Sequence, residues 1–419
     1  MLKLKFISIV ILTFFLKNSI AQNIKDETIE YRYIKLPLNP LPSSVKNYQS
    51  SIFAPYEEDN KKKKAEYDVK QKAAELVFQK EKEAYPAKVK AAEDKYNAEL
   101  AAWKKKSLGE KVVEKQILGE NNKPVLYTPS QPYLQNVQLP DLRTSYDYPV
   151  VANTYIILDG YTNKNENPIK IDVTIYGYDY TEPRQLSEQK NVTSYANGQT
   201  SSNLVNYYHN EFSYRHTMSV RVTMPDGKEL FNLTPQELNT YKIYKTPESV
   251  TPAPLNPQML VKSYEERVLQ DNLTLINNLV NDKIGYKRVL RKIELNYVKS
   301  KDETYKDLLI AFNDASSGLK ILIDDEAQAK TKLQSAINAW NTALLESDPK
   351  NKKARIDKDV TIAIYFNLLE CYFATNNTPE ADKIMALINS MDITSSKRKL
   401  KDDYESLFND LKKRTLINK

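Results

Sequence analysis

The chain is poor in the residues that most enzymes lean on: 419 residues include one cysteine, two histidines, two tryptophans and eight glycines. A lone cysteine, Cys371, excludes an internal disulfide, so an exported fold would be held by its core alone. Cys371 sits in an apolar helical run, which suits buried filler better than a reactive thiol. Without paired cysteines there is no cysteine-type zinc site. Without Gly-rich segments there is no phosphate-cradling loop. No Ser/His/Asp or Cys/His arrangement has a placed base; a two-carboxylate hydrolase stays open as a third reading, one that predicts acidic residues facing one aromatic-lined cleft. The expectation is a non-enzyme with no cofactor and no metal. Beyond residues 6–16 there is no long apolar run, so no transmembrane segment is expected.

What is abundant is lysine, asparagine and tyrosine, with 29 tyrosines in all. Met1–Ala21 reads as a secretory signal: Lys3 and Lys5 form a basic head, Phe6–Leu16 an apolar core, and Ser19-Ile20-Ala21 a small-residue cleavage site. The formal net charge of +7 loses Lys3, Lys5 and Lys17 with that signal, leaving +4. So small an excess gives no basis for nucleic-acid binding. No cysteine follows the signal, so no lipoprotein anchor is expected.

Two periodicities divide the chain. Thr28–Leu38 alternates as a strand, with Ile29, Tyr31 and Tyr33 on one face. Residues 57–107 lack glycine and are rich in Ala, Lys and Glu, which predicts a long helix or a helical hairpin. Tyr85, Val89, Ala92, Tyr96, Leu100 and Trp103 form its stripe, and Pro86 predicts a kink or reversal. Residues 108–142 read as a loop-rich connection. A period of two then marks Ile169–Ile175 and Met218–Met224, with a turn at Pro225-Asp226-Gly227-Lys228 and a return strand at Glu229–Leu233. Val150–Leu158 and Tyr241–Tyr244 are further strand candidates, and Gln185–Ser202 is expected as a polar loop. One apolar face implies a sandwich, or a sheet with a helix on it. Residues 246–258, with four prolines, form the expected linker. Everything beyond is expected to be helical, including a stripe at Val289, Leu290, Ile293 and Tyr297.

Within that helical region, Ala336, Trp340, Ala343 and Leu344 precede Pro349, and Tyr365, Asn367, Leu368, Tyr372 and Ala381 follow. The spacing resembles the tetratricopeptide (TPR) repeat, a helix pair in which small residues let helices approach and an aromatic fills the gap. It covers about one and a half repeats. Pro349 comes one residue late, about eleven extra residues separate the two units, and Met385 and Ile388 replace the usual aromatic and small residue. The resemblance implies a protein-partner groove along the first helices, on a face bearing Phe366, Asn367, Glu370 and Phe373, which would take an apolar segment or be filled by a neighbouring helix of the same chain. The lysine clamp that would hold a peptide carboxylate is absent.

Three further groups invite a function. Tyr176, Tyr178 and Tyr180 would share the face opposite the Ile169–Ile175 core, because side chains alternate along a strand. That face is expected under the Tyr85–Trp103 stripe, or open as a platform for a glycan or peptide, while Pro183 and Gly177 also permit a plain strand end with partly exposed tyrosines. His209, Glu211 and His216 are few and poorly phased for a metal. Asp324-Asp325-Glu326 reads as a helix-end charge cluster.

The fold class expected is therefore α+β. A signal peptide (1–21) precedes a β domain with a helical insertion (22–245, insertion about 57–107), the linker (246–258) and a TPR-like helical domain (259–419). The first strand is expected to join the later sheet. The function expected is an exported, non-catalytic adaptor in a Gram-negative envelope, periplasmic or outer-membrane-associated. The alternative is a glycan-binding module using the tyrosine face.

Overall fold

The computed structural model describes residues 23–113, 123–196, 199–252, 254, 256–299 and 303–418. The expected signal (1–21) lies outside them, as do two positions of the expected linker, Ala253 and Leu255. Strands β1 (Ile24–Lys35) and β2 (Asn47–Phe53) lead into helix α1 (Tyr56–Lys105) and a short α2 (Leu108–Val112). After residues 123–147, which carry no helix or strand, come α3 (Tyr148–Tyr155), β3 (Thr162–Asn163), β4 (Ile169–Tyr180), β5 (Arg184–Ala196) and β6 (Gln199–Thr223). Strands β7 (Glu229–Leu233) and β8 (Lys242–Lys245) precede α4 (Pro257–Ile284) and β9 (Lys287–Val298). Helices α5 (Lys306–Lys320), α6 (Glu326–Leu344), α7 (Lys358–Ala374), α8 (Thr378–Asn389) and α9 (Ser395–Ile417) complete the chain. The class is α+β. The chain divides into two compact units that interleave in sequence: Met1–Gln49 with Tyr155–Ile169 and Leu273–Lys419, and Ser50–Thr154 with Lys170–Asn272.

In the first unit, β1 pairs antiparallel with β9 from Ile24↔Val298 to Lys35↔Lys287. This corrects two expectations. The first strand does not join the later sheet, and residues 287–298 are a strand where a helical stripe was read. Leu290, counted in that stripe, is 58 % exposed, while Ile293 and Leu295 are buried. The inward positions 289, 291, 293, 295 and 297 have a period of two, disguised because one of them is Arg291.

Ile29, Tyr31, Ile293 and Leu295 share a core with α5, α6 and α7. From Val360 to Phe373 every residue of α7 is buried, as befits a helix apolar on all sides. Helix ends are capped by sequence. Asp325 caps α6 through the Gln328 N–H at 3.0 Å, which places the acidic cluster at a helix end. Asp357 accepts the Asp359 and Val360 N–H groups at 3.0 Å and starts α7. Ala336, Trp340 and Ala343 are buried along α6, as are Leu368, Tyr372 and Ala381 beyond it.

In the second unit, β4 lies between β2 and β6, and β5, β7 and β8 also pair with β6. Ile171, Val173 and Ile175 oppose Val222, Val220 and Met218, and all six are buried. The turn after β6 closes by Met224 N–H to Lys228 O at 2.8 Å, with Gly227 at φ 87°. The aromatic end of the sheet packs on Val261 and Val268 of α4. A helix thus covers this end of the sheet, where a sandwich had been the other expectation. Residues 185–196 and 199–202 are strand, not loop: β5 and β6 pair from Arg184↔Glu211 to Ala196↔Gln199. Polar residues fill both faces of that ribbon, so no apolar alternation announced it.

Residues 150–158 also depart from expectation. The Asp147 carboxylate accepts the Val150 N–H at 3.2 Å and Pro149 sits in the first turn, so α3 forms there. Helix α1 continues through Pro86 without reversing. Its stripe is half-buried, and what bonds to it is the extended segment 123–147, not the tyrosines of β4. Tyr85 Oη donates to Pro129 O at 3.2 Å and Lys63 Nζ to Asp141 O at 2.9 Å. Asn60 Nδ2 donates to Arg143 O at 2.8 Å, and Asn60 Oδ1 accepts the Arg143 N–H at 3.0 Å. No helix among the described residues is long and apolar enough to cross a membrane.

Candidate ligand cleft

The second unit holds a cleft of about 700 Å³, built around the end of β4. A bulge creates it. Ile175 opposes Met218 and Gly177 opposes Thr217, so Tyr176 is an extra residue. The alternation therefore inverts. Tyr178 and Tyr180 lie on the face that carries Ile171–Ile175, and Tyr176 does not, which corrects the expectation of three tyrosines on the opposite face. Tyr178 is buried, while Tyr176 is about half-exposed outside the cleft lining.

Gly177 is the hinge of this arrangement. It has φ 109°, and a Cβ there would lie 1.7 Å from Arg143 Nη1. Arg143 takes that space, donating to Tyr176 O at 3.0 Å and to Asp179 Oδ1 at 3.1 Å. Arg215 Nη2 holds the other carboxylate oxygen, Oδ2, at 2.7 Å. Asp179 therefore ties two guanidinium groups together. The Arg215 guanidinium also lies over the Tyr241 ring at 4.8 Å.

Below the cleft is an aromatic stack. Tyr178 stacks on Tyr214 at 5.9 Å and meets His216 edge-on at 5.5 Å. The Tyr178 hydroxyl is buried with no protein hydrogen-bond partner. Burial and the neighbouring Tyr214 push it well above the usual phenol range, so it stays protonated. Burial pulls His216 down to about 4, outweighing the opposing pull of Asp179. Glu265, from α4, accepts the Thr144 hydroxyl at 2.8 Å. Burial raises it above the usual carboxylate range. Tyr180 and Tyr241, by contrast, are 53 % and 54 % exposed and line the cleft.

The other expected sites are not assembled in this way. Phe366, Asn367, Glu370 and Phe373, expected to line an open groove on α7, are all buried, which corrects that reading. Asn367 Nδ2 donates to Asn296 O at 2.8 Å and its Oδ1 accepts the Asn296 N–H at 2.9 Å. Glu370 accepts Arg291 Nε and Nη2 at 2.8 Å each, Tyr404 Oη at 2.6 Å, and the Tyr31 hydroxyl. Phe373 meets Tyr33 edge-on at 5.0 Å, and Phe366 faces Tyr404 at 6.1 Å. The β1–β9 ribbon and α9 occupy the face where a partner would lie. His209 Nε2 is 3.9 Å from Glu211 Oε2, but Glu211 pairs with Lys245 and Arg184, and His216 packs on Tyr178. No group of three side chains able to hold a metal occurs among the described residues.

Sequence reading found Tyr178 and Tyr180 but missed Arg143, Tyr241 and Glu265. The signal for Arg143 was Gly177, a glycine inside a strand, which marks a bulge or a close approach. Comparison with protein-family models, with curated proteins and with solved structures yields no match for the chain.

Proposed function

We propose that the chain is an exported, non-catalytic binding protein of the cell envelope whose ligand enters the cleft on β4. The observation that carries this reading is the pair of half-exposed rings, Tyr180 and Tyr241, over a buried tyrosine hydroxyl without a partner. Exposed aromatics in a concave polar site are recognition groups. Catalysis has less to stand on. Both oxygens of Asp179 are held by arginines, and no Ser or Cys nucleophile lines the cleft. Native mass spectrometry with mixed saccharide and peptide pools tests the proposal. Stoichiometric retention of an unaltered ligand, lost in a Tyr180→Ala/Tyr241→Ala double variant, is the expected result. Retention of cleaved products would overturn it.

A second reading, a protein adaptor with TPR-like helices, draws support from the order of the helices. Turns of five and three residues join α5 to α6 and α7 to α8, and the small–aromatic–small residues of α6 are buried between neighbours. Such an adaptor would use a surface other than the α7 face. Crosslinking pulldown of the full chain from the native envelope, with the crosslinked sites mapped, tests it. A specific protein crosslinked to α5–α8 supports the adaptor, and capture of none counts against it.

A further inference from the structure

We propose that the β4 cleft takes an uncharged oligosaccharide, laid across Tyr180 and Tyr241. This rests on the binding reading above and names the ligand class.

Four observations lead there. First, the two rings are the half-exposed aromatics of the cleft and are held in place from behind. Tyr180 lies 5.8 Å from Tyr178, and the Arg215 guanidinium covers one face of Tyr241 at 4.8 Å. A ring whose back is supported presents its other face without losing rotamer freedom on binding. The C–H face of a pyranose suits such a surface, being apolar above and below with hydroxyls around its rim.

Second, the cleft carries unmet hydrogen-bonding capacity. The Tyr178 hydroxyl has no protein partner, although the residue lines the cleft and is only 6 % exposed. Buried polar groups in folded proteins are almost always paired, so an unpaired one lining a cleft points to a ligand oxygen.

Third, the charges cancel. Asp179 already bridges Arg143 and Arg215, and Asp141 and Glu265 stand against Lys262 in the remaining lining. A carboxylated or phosphorylated ligand would meet guanidinium groups that are already paired and would have to displace Asp179. An uncharged ligand leaves that network intact.

Fourth, a peptide finds no strand to pair with. β6 pairs with β4 as far as Tyr180↔Tyr214, and at the bulge the Tyr176 carbonyl is already taken by Arg143 at 3.0 Å. The cleft offers side chains and ring faces, which is how sugars are held.

The experiment is isothermal titration of the exported chain with uncharged gluco-, manno-, xylo- and chito-oligosaccharides, with uronic-acid oligomers and with an unrelated peptide pool. At least one uncharged oligomer binds, with Kd of order 10 µM to 1 mM. Tyr180→Ala and Tyr241→Ala each weaken it about tenfold. Tyr180→Phe stays within about twofold, since the ring face is retained. Both positions are half-exposed, and unchanged circular dichroism of the Ala variants separates lost recognition from lost fold. Binding of the uronic-acid oligomers or peptides alone would overturn the ligand class while leaving the binding reading standing. Saccharide binding that survives both Ala substitutions would overturn the site. Silence across all three panels would overturn both readings.

Discussion

Glu370→Ala would test how the helical unit is held. This carboxylate is wholly buried and joins three side chains from three other elements, Arg291 on β9, Tyr31 on β1 and Tyr404 on α9, and the Arg291 guanidinium in turn lies over Phe373 of the same helix at 5.3 Å. Burial pulls the Arg291 pKa down, but its two bonds to Glu370 outweigh this and hold it above the usual range, so the guanidinium stays charged. Removing the carboxylate strands that charge and two tyrosine hydroxyls. Breaking a buried pair costs about 3–5 kcal/mol. Each orphaned hydroxyl adds about 1 kcal/mol or more. The Arg291 side chain is 23 % exposed and can regain some water, so the lower end of each range applies, about 5 kcal/mol in total. Replacing the pair together, Glu370→Leu with Arg291→Met, should cost less than Glu370→Ala, because no charge is then left behind. Urea unfolding followed by Trp340 fluorescence reads this core directly, since Trp340 is buried within it, and Trp103→Phe removes the other indole. A Glu370→Ala loss under about 1 kcal/mol, or a double variant no better than the single, would refute the reasoning.

Two further outcomes follow from the second unit. His216 has a folded pKa of about 4 against an ordinary 6.5, so between those values the unfolded chain binds the extra proton. Its contribution, about 3 kcal/mol, is complete above pH 6.5, falls as pH drops towards 4, and changes no further below that. His216→Gln should flatten that limb of an acid-unfolding curve, and an unchanged curve would contradict the assignment. Gly177→Ala drives a methyl into Arg143 at a backbone angle that disfavours side chains. It should cost about 1–3 kcal/mol in thermal unfolding and weaken ligand binding, whereas wild-type values in both would show that Arg143 is not seated there.

Long patterns were legible in the sequence. The glycine-free stretch became α1, the alternation of Ile169–Ile175 and Met218–Val222 became the sheet core, and Ala336, Trp340 and Ala343 are buried together. What misled were single residues that break a period for a reason. Arg291 faces inward to meet Glu370, and so hid β9. Tyr176, one residue too many, inverted the tyrosine face. Arg143 and Glu265 approach the cleft from segments 33 or more residues from Tyr176 in sequence, and only tertiary structure brings them there. The α7 face illustrates the converse. Phe366 and Phe373 suit a partner groove by spacing, but β1, which supplies part of the cover, lies more than 300 residues away. No local periodicity encodes that pairing.

The most direct test is to locate a bound saccharide by hydroxyl-radical footprinting of the tyrosines, with and without a saturating uncharged oligosaccharide. Tyr180 and Tyr241 should lose reactivity while the more open Tyr127 and Tyr195 keep theirs. Protection spread evenly over all four, or confined to Tyr127 or Tyr195, would contradict the assignment of the cleft.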